Sequence, residues 1–365
     1  MVVEGGVAGW NLTGIVCQDP DGGTSVDLPG RAAIIDVDEG ESITCNFMMQ
    51  QAPPPVDRKV IFVQGIDSFS GSCGAASRSN VKWLVDYIIG PNGSWIREVA
   101  PTLNSAADFI YFSYSYMTPY CKDNGVENYR KPSYQAKDTC VGVKIAASRL
   151  QSLATKLVAK YPNARFDIVA HSMGAMVASY WLTTRPQMQS RVNSVITFDG
   201  VLRGVPHRNV LSSACPKDSR SWLDLKCNNY YQAQDPDRCV SRIVSAIARA
   251  GVHSGVPFYT IDATQKDEVS IFEVDLQTPI EFVKGNRTTL LASRSRLHCR
   301  FDNNHSSVWR SPFVLNDPVE CWVDVLTAAN TPTFSIASVS DFVKPAFVGC
   351  AITRAADPQA CLTSH

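Results

Sequence analysis

The residues best suited to chemistry lie in the run FDIVAHSMGAMVASYW, residues 166 to 181, where the string A-H-S-M-G sets Ser172 between two small residues, Ala170 and Gly174. A serine hydroxyl becomes a useful nucleophile only when a histidine takes its proton and a carboxylate holds that histidine in the right tautomer. The flanks suit such a serine. Phe166 to Ala170 reads as a short apolar strand and MGAMVASYWL reads as helix, so Ser172 stands at a strand-to-helix turn so tight that only small residues fit two positions to either side. At the start of that helix the N–H of Met173 points where an oxyanion develops, with the helix dipole behind it. The plain alternative is a buried serine at an ordinary turn, but strand, small residues and helix coincide here.

The base and the acid must be found among six histidines, at 171, 207, 253, 298, 305 and 365, and the aspartates that follow the serine. His171 belongs to the turn itself, with its side chain directed away from the reacting centre. His298 lies in the strand-like run TTLLASRSRLHCRF, where a hydrogen-bonded histidine is the simpler reading, and His207, His253 and His365 have no supporting context. His305 sits in the polar loop DNNHSSVWRSP that follows that run.

The elements that must position these groups alternate. RKVIFVQGI, DFIYFSYS, RFDIVAHS, SVITFDG and PFYTID read as buried strands, and VGVKIAASRLQSLATKLVAKY carries apolar residues at helical spacing up to Pro162. Such alternation builds an α/β fold, a mostly parallel sheet with helices on both faces. Two excursions interrupt it, at about 115–140 and 203–254, and long excursions from strand ends of such sheets shape a substrate mouth or lid. The tyrosines at 111, 114, 116 and 120 either line an acyl pocket there or pack in the core.

Ahead of this pattern, residues 1–52 read as β-hairpin segments, WNLTGIVC, RAAIIDVDEG and ESITCNF, with the turn QDPDGGTS between the first two. The prolines of QQAPPPV cannot donate to a sheet ladder and favour an extended spacer, so residues 53–57 are read as a linker and 58–365 as the catalytic domain.

Composition bounds the rest. With 365 residues and 45% hydrophobic content the chain has ample material for a core, and 34 basic against 34 acidic residues leave no footprint of a nucleic-acid binder. Twelve dispersed cysteines form no metal knuckle and favour disulfides, hence a periplasmic or extracellular home. Pairing of near neighbours suggests Cys17 with Cys45, Cys121 with Cys140, and Cys350 with Cys361. MVVEGGVAGW has neither the basic nor the apolar region of a secretion signal, so a removed signal is expected. No apolar stretch reaches the roughly 18 residues that span a bilayer.

The elbow A-H-S-M-G resembles that of bacterial lipases, in which alanine commonly replaces the first glycine, and the chain from 58 to about 315 is similar to the α/β-hydrolases in the order of four blocks. KVIFVQGIDSFSG resembles the His-Gly loop of lipases, with Gln64 in place of histidine, which implies that the N–H of Ile66 is the second oxyanion donor. ATQKDEVS resembles the loop that presents the acid, which implies Asp267, with Asp199 and Asp262 as alternatives. DNNHSSVW resembles the block that carries the base, His305. VLRGVPH resembles the segment leading into a lipase cap. WNLTGIVC and GESITCNF resemble the closing strands of bacterial extracellular β-sandwich repeats. The resemblance implies a secreted ester hydrolase of the lipase or carboxylesterase type, working on acylglycerols or other esters without metal or organic cofactor. An acyltransferase or lipid-anchor deacylase of the same fold, and a non-catalytic surface module, are the other readings.

Overall fold

The structure is a computed structural model that describes residues 1–6, 10–51, 56–66, 81–115, 121–123, 126–128, 135–202, 215–216, 218–226, 241–243, 256–263, 295–301, 319–323, 333–336, 343–355 and 357–364. The chain divides into two compact units, Met1–Pro55 and Val56–His365.

In the first unit, β1 (Val2–Val3), β3 (Ser25–Asp27) and β4 (Ala32–Ile34) form one small sheet in the order β1-β4-β3. Between them in sequence, β2 (Trp10–Gln18) pairs antiparallel with β5 (Thr44–Gln51), and Cys17 faces Cys45 in that register and is disulfide-bonded to it. Among its described residues the unit thus has five strands where the sequence pattern indicates three. The run expected from Arg31 to Gly40 is strand only over Ala32–Ile34, because acidic turn residues occupy the remainder.

The second unit is built on a ten-stranded sheet. Its strands are β6 (Arg58–Val63), β7 (Phe109–Tyr111), β8 (Cys121–Asp123), β9 (Val126–Asn128), β10 (Arg165–His171), β11 (Val192–Phe198), β12 (Phe258–Ala263), β13 (Ser295–Phe301), β14 (Val319–Val323) and β15 (Thr333–Ile336). The order is β15-β14-β13-β12-β11-β10-β6-β7-β9-β8. From β13 through β9 all neighbours are parallel, and antiparallel pairs close both edges.

Helices cover both faces, which is why the central strands read as unbroken apolar runs. Ile61, Val63, Ile168 and Ala170 pack toward α3 (Val143–Lys160) and α4 (Met173–Thr184). Val60, Phe62, Val169 and Phe198 pack toward α1 (Lys82–Ile89), α2 (Ser94–Val99) and α6 (Val343–Thr353). Two short helices, α5 (Arg220–Leu225) and α7 (Pro358–Ser364), complete the set among the described residues. None of the described helices is long and apolar enough to cross a membrane.

A buried polar cluster pins the central strands at the end remote from Ser172. The Arg58 guanidinium donates to Asp167 Oδ2 (3.1 Å from Nε) and to the carbonyl of Ile352 (2.9 Å), while Asn193 Nδ2 and Ser194 Oγ donate to Asp167 Oδ1 at 2.8 and 2.6 Å. β6, β10, β11 and α6 are thereby locked in register, with every oxygen of the fully buried carboxylate satisfied.

The expected bridge from Cys121 to Cys140 is corrected: Cys140 is bonded to Cys215. The cause is the seating of α5 on the start of α3. Ser221 Oγ accepts the Gly142 N–H at 2.9 Å and donates to the Thr139 carbonyl, while Asp224 Oδ2 accepts the Val143 N–H at 3.0 Å. That contact brings the residues before α5 against the turn before α3, a proximity invisible to sequence spacing. Cys299–Cys321 joins β13 to β14, and Cys350–Cys361 joins α6 to α7, the latter as near-neighbour pairing suggested.

Candidate active site

Ser172 stands between β10 and α4 with φ 52° and ψ −124°, a left-handed backbone that side-chain-bearing residues rarely adopt. The conformation is held from several directions. The Ser172 N–H donates to the Phe198 carbonyl at 3.1 Å, and the Ser172 carbonyl accepts the Ala175 N–H at 3.1 Å and the Val201 N–H at 3.4 Å. The side chain is nearly enclosed, with the residue 6% exposed.

Both flanking positions need small residues for reasons visible in the packing. Ala170 is fully buried between β6 and β11. A Cβ at Gly174 would lie 2.1 Å from the Val63 carbonyl oxygen and 2.8 Å from that of Gln64, so α4 can sit on the end of β6 only because position 174 is glycine.

The loop after β6 closes on Ser172. A Cβ on Gly65 would stand 2.6 Å from Ser172 Cβ and 3.0 Å from its Oγ, which brings the Gln64–Ile66 backbone directly against the serine side chain. The buried Tyr114 hydroxyl donates to the Gln64 carbonyl. Ile66 is half-buried and packs against the α3–α4 side of the core. Met173 is fully buried as the first residue of α4, and first-turn N–H groups have no acceptor within their own helix. Ser172, Met173 and Ile66 are thus brought together.

The expected acid Asp267 and base His305 lie outside the described residues, as do His207, His253 and His365. Asp262 is the fifth residue of β12, and His298 lies on β13, paired in register with Thr260 and Trp322. Asp199, the alternative acid, follows β11 directly, is fully buried, has φ 45°, and donates its N–H to the Ile261 carbonyl at 2.7 Å. It therefore sits one residue beyond the strand whose last carbonyl binds Ser172.

Of the tyrosines, Tyr111 and Tyr114 are core residues. Tyr111 packs on Phe62 and Tyr114 on Phe112, each with ring centroids 5.2 Å apart, and Tyr116 and Tyr120 lie outside the described residues. The support that Tyr114 gives the loop after β6 carried no local sequence signal.

Among the described residues, the carboxylates that approach metal-ligand spacing are Asp19, Asp21 and Glu41, in the first unit. They brace turns: Asp19 and Asp21 accept backbone N–H groups from Asp21, Gly23 and Thr24, and the bonds from Thr24 hold the Asp19 carboxyl down at about 2.

A parallel sheet in this order, antiparallel at its edge beyond β13, with a left-handed serine between the central strand and the following helix, defines an α/β-hydrolase fold. No model of a known protein family matches the sequence, and no curated protein does. Solved structures similar to it include phospholipase PlaB from Legionella pneumophila, at 12% identity and TM-score 0.37, over 59% of this chain and 40% of that one. A metagenomic carboxyl esterase aligns at 15% identity and TM-score 0.30 over 60% of this chain and 54% of its own. Aspergillus fumigatus lipase B aligns at 17% identity and TM-score 0.31 over 58% and 38%. The chain thus spans about half or less of the length of these proteins, and the fold assignment rests on its own strand order.

Proposed function

We propose that this protein is a secreted serine ester hydrolase of the lipase or carboxylesterase type, cleaving acylglycerols or other carboxylic esters through an acyl-enzyme. The observation that carries the reading is the left-handed Ser172 with the Gly65 backbone packed on its side chain, because a nucleophile and its oxyanion donors require that a strained serine and a loop backbone meet in this way. In this reading Ser172 Oγ attacks the acyl carbon, and His305 takes its proton while Asp267 holds the imidazole. The N–H groups of Ile66 and Met173 bind the oxyanion. His305 then protonates the departing alcohol, and water repeats the sequence on the acyl-enzyme. Four disulfides among the described residues support an oxidising destination.

The test is turnover of p-nitrophenyl esters of increasing acyl length by the parent chain and by Ser172→Ala. Parent turnover with an acyl-enzyme burst, abolished by the alanine, is expected; undiminished turnover in the variant excludes Ser172. Asp199 is a second reading of the acid, favoured by its burial beside the elbow. Asp267→Asn should cost about 10⁴ in kcat, by analogy with the same change in a Ser-His-Asp triad, while Asp199→Asn leaves kcat within a few-fold. The opposite pattern transfers the role to Asp199.

A further inference from the structure

Gln64 is the first residue after β6 and stands just before Gly65, and its side chain is unusual. The residue is 1% exposed, yet neither Nε2 nor Oε1 has a hydrogen-bond partner among the described residues. Its main chain, by contrast, is fixed by the Tyr114 hydroxyl on its carbonyl and by the approach of Gly174. A carboxamide brings two donors and an acceptor, and burying all of them without partners is costly enough that native proteins rarely do it. Here the cost falls just past the carboxyl end of β6, on the side of a parallel sheet where ligands of α/β sheets bind, within the loop that packs on Ser172.

We infer that Gln64 is a specificity residue that binds a free hydroxyl on the alcohol portion of the substrate. This rests on the ester-hydrolase reading of the same site. The chemistry of the ester leaves few other partners. An acyl chain has neither donor nor acceptor, and the scissile carbonyl accepts only, from the N–H groups of Ile66 and Met173. A hydroxyl donates and accepts together, so it satisfies Oε1 and one Nε2 hydrogen at once. The substrate class this selects is a polyol ester with an unesterified hydroxyl near the scissile bond, such as a partial acylglycerol, in preference to a simple alkyl ester. A group left unpaired in the free enzyme and paired in the complex discriminates strongly against analogues lacking its partner.

The test separates binding from turnover. By calorimetry, the parent should bind the non-hydrolysable 1-O-hexylglycerol about 10-fold or more tightly than hexyl propyl ether, which lacks both hydroxyls. Gln64→Met, close in shape but without the amide, should bring that ratio to about one by losing only the glycerol ether. Monobutyrin against propyl butyrate should show the same preference in kcat/KM. If the ethers discriminate but no ester is cleaved, the hydrolase reading falls and Gln64 stands as a hydroxyl-binding residue. If esters are cleaved through Ser172 but the parent binds both ethers alike, ordered water satisfies the carboxamide and the inference is overturned. Retention of the ratio in Gln64→Met overturns it equally, and should that variant not fold, the parent ratio alone decides.

Discussion

Gly65→Ala tests the proposed join between nucleophile and oxyanion loop with a single methyl group. The added Cβ would meet Ser172 Cβ at 2.6 Å, whereas non-bonded carbons rest at about 3.5–4.0 Å, so loop and serine must separate by about 1 Å. A misplacement of that size at a reacting centre costs about 100-fold in rate, which is about 2.7 kcal/mol of barrier, and complete loss of one oxyanion donor costs about 100- to 1,000-fold. The loss should appear in kcat, with KM little changed, because the displaced contacts matter most in the transition state. The assay is steady-state hydrolysis of p-nitrophenyl butyrate beside thermal unfolding of the same samples. Gly174→Ala is the comparator. Its Cβ would collide with the Val63 carbonyl inside the sheet, so it should fail mainly in stability. A folded Gly65→Ala with kcat within about 3-fold of the parent refutes the argument that this loop abuts the reacting centre.

Three further outcomes are expected. Arg58→Met leaves the Asp167 carboxylate fully buried without its countercharge and should cost about 3–5 kcal/mol in denaturant unfolding. Cys215→Ser opens a bridge between residues 75 apart and should lower stability by up to about 4 kcal/mol; dithiothreitol should lower the parent melting temperature at least as far as this substitution does. Lys344 is fully buried in α6, and burial pushes its amine from 10.5 down to about 7. Between those values the unfolded chain holds a proton that the folded chain lacks, so parent stability should rise with pH across that window. Lys344→Met should flatten the rise and stabilise most at pH 7 and below, as read by melting temperature against pH.

What was legible in the sequence is what is local. The elbow could be read because strand, small residues and helix occupy sixteen consecutive positions, and the buried parallel strands because both their faces are apolar. The Cys140–Cys215 bridge was not legible, since it depends on α5 capping α3 across the chain. Nor was the Arg58–Asp167 pair, since a single aspartate within RFDIVAHS gives no sign that an arginine 109 residues earlier neutralises it. The excursion at 115–140 reads as loop, yet Cys121–Asp123 and Val126–Asn128 extend the sheet edge, since three-residue strands carry too little periodicity to be seen. Gln64 was visible as a departure from histidine, but its isolated carboxamide appears only once the loop is folded onto Ser172.

The left-handed backbone at Ser172 sets durability against the proposed activity within one residue. Holding a residue with a side chain there costs on the order of 1–3 kcal/mol, and glycine escapes most of it. Ser172→Gly should therefore melt above the parent while losing all turnover. A laboratory search for heat-resistant variants that does not also demand catalysis would be drawn toward glycine at position 172, where added robustness would remove the proposed activity.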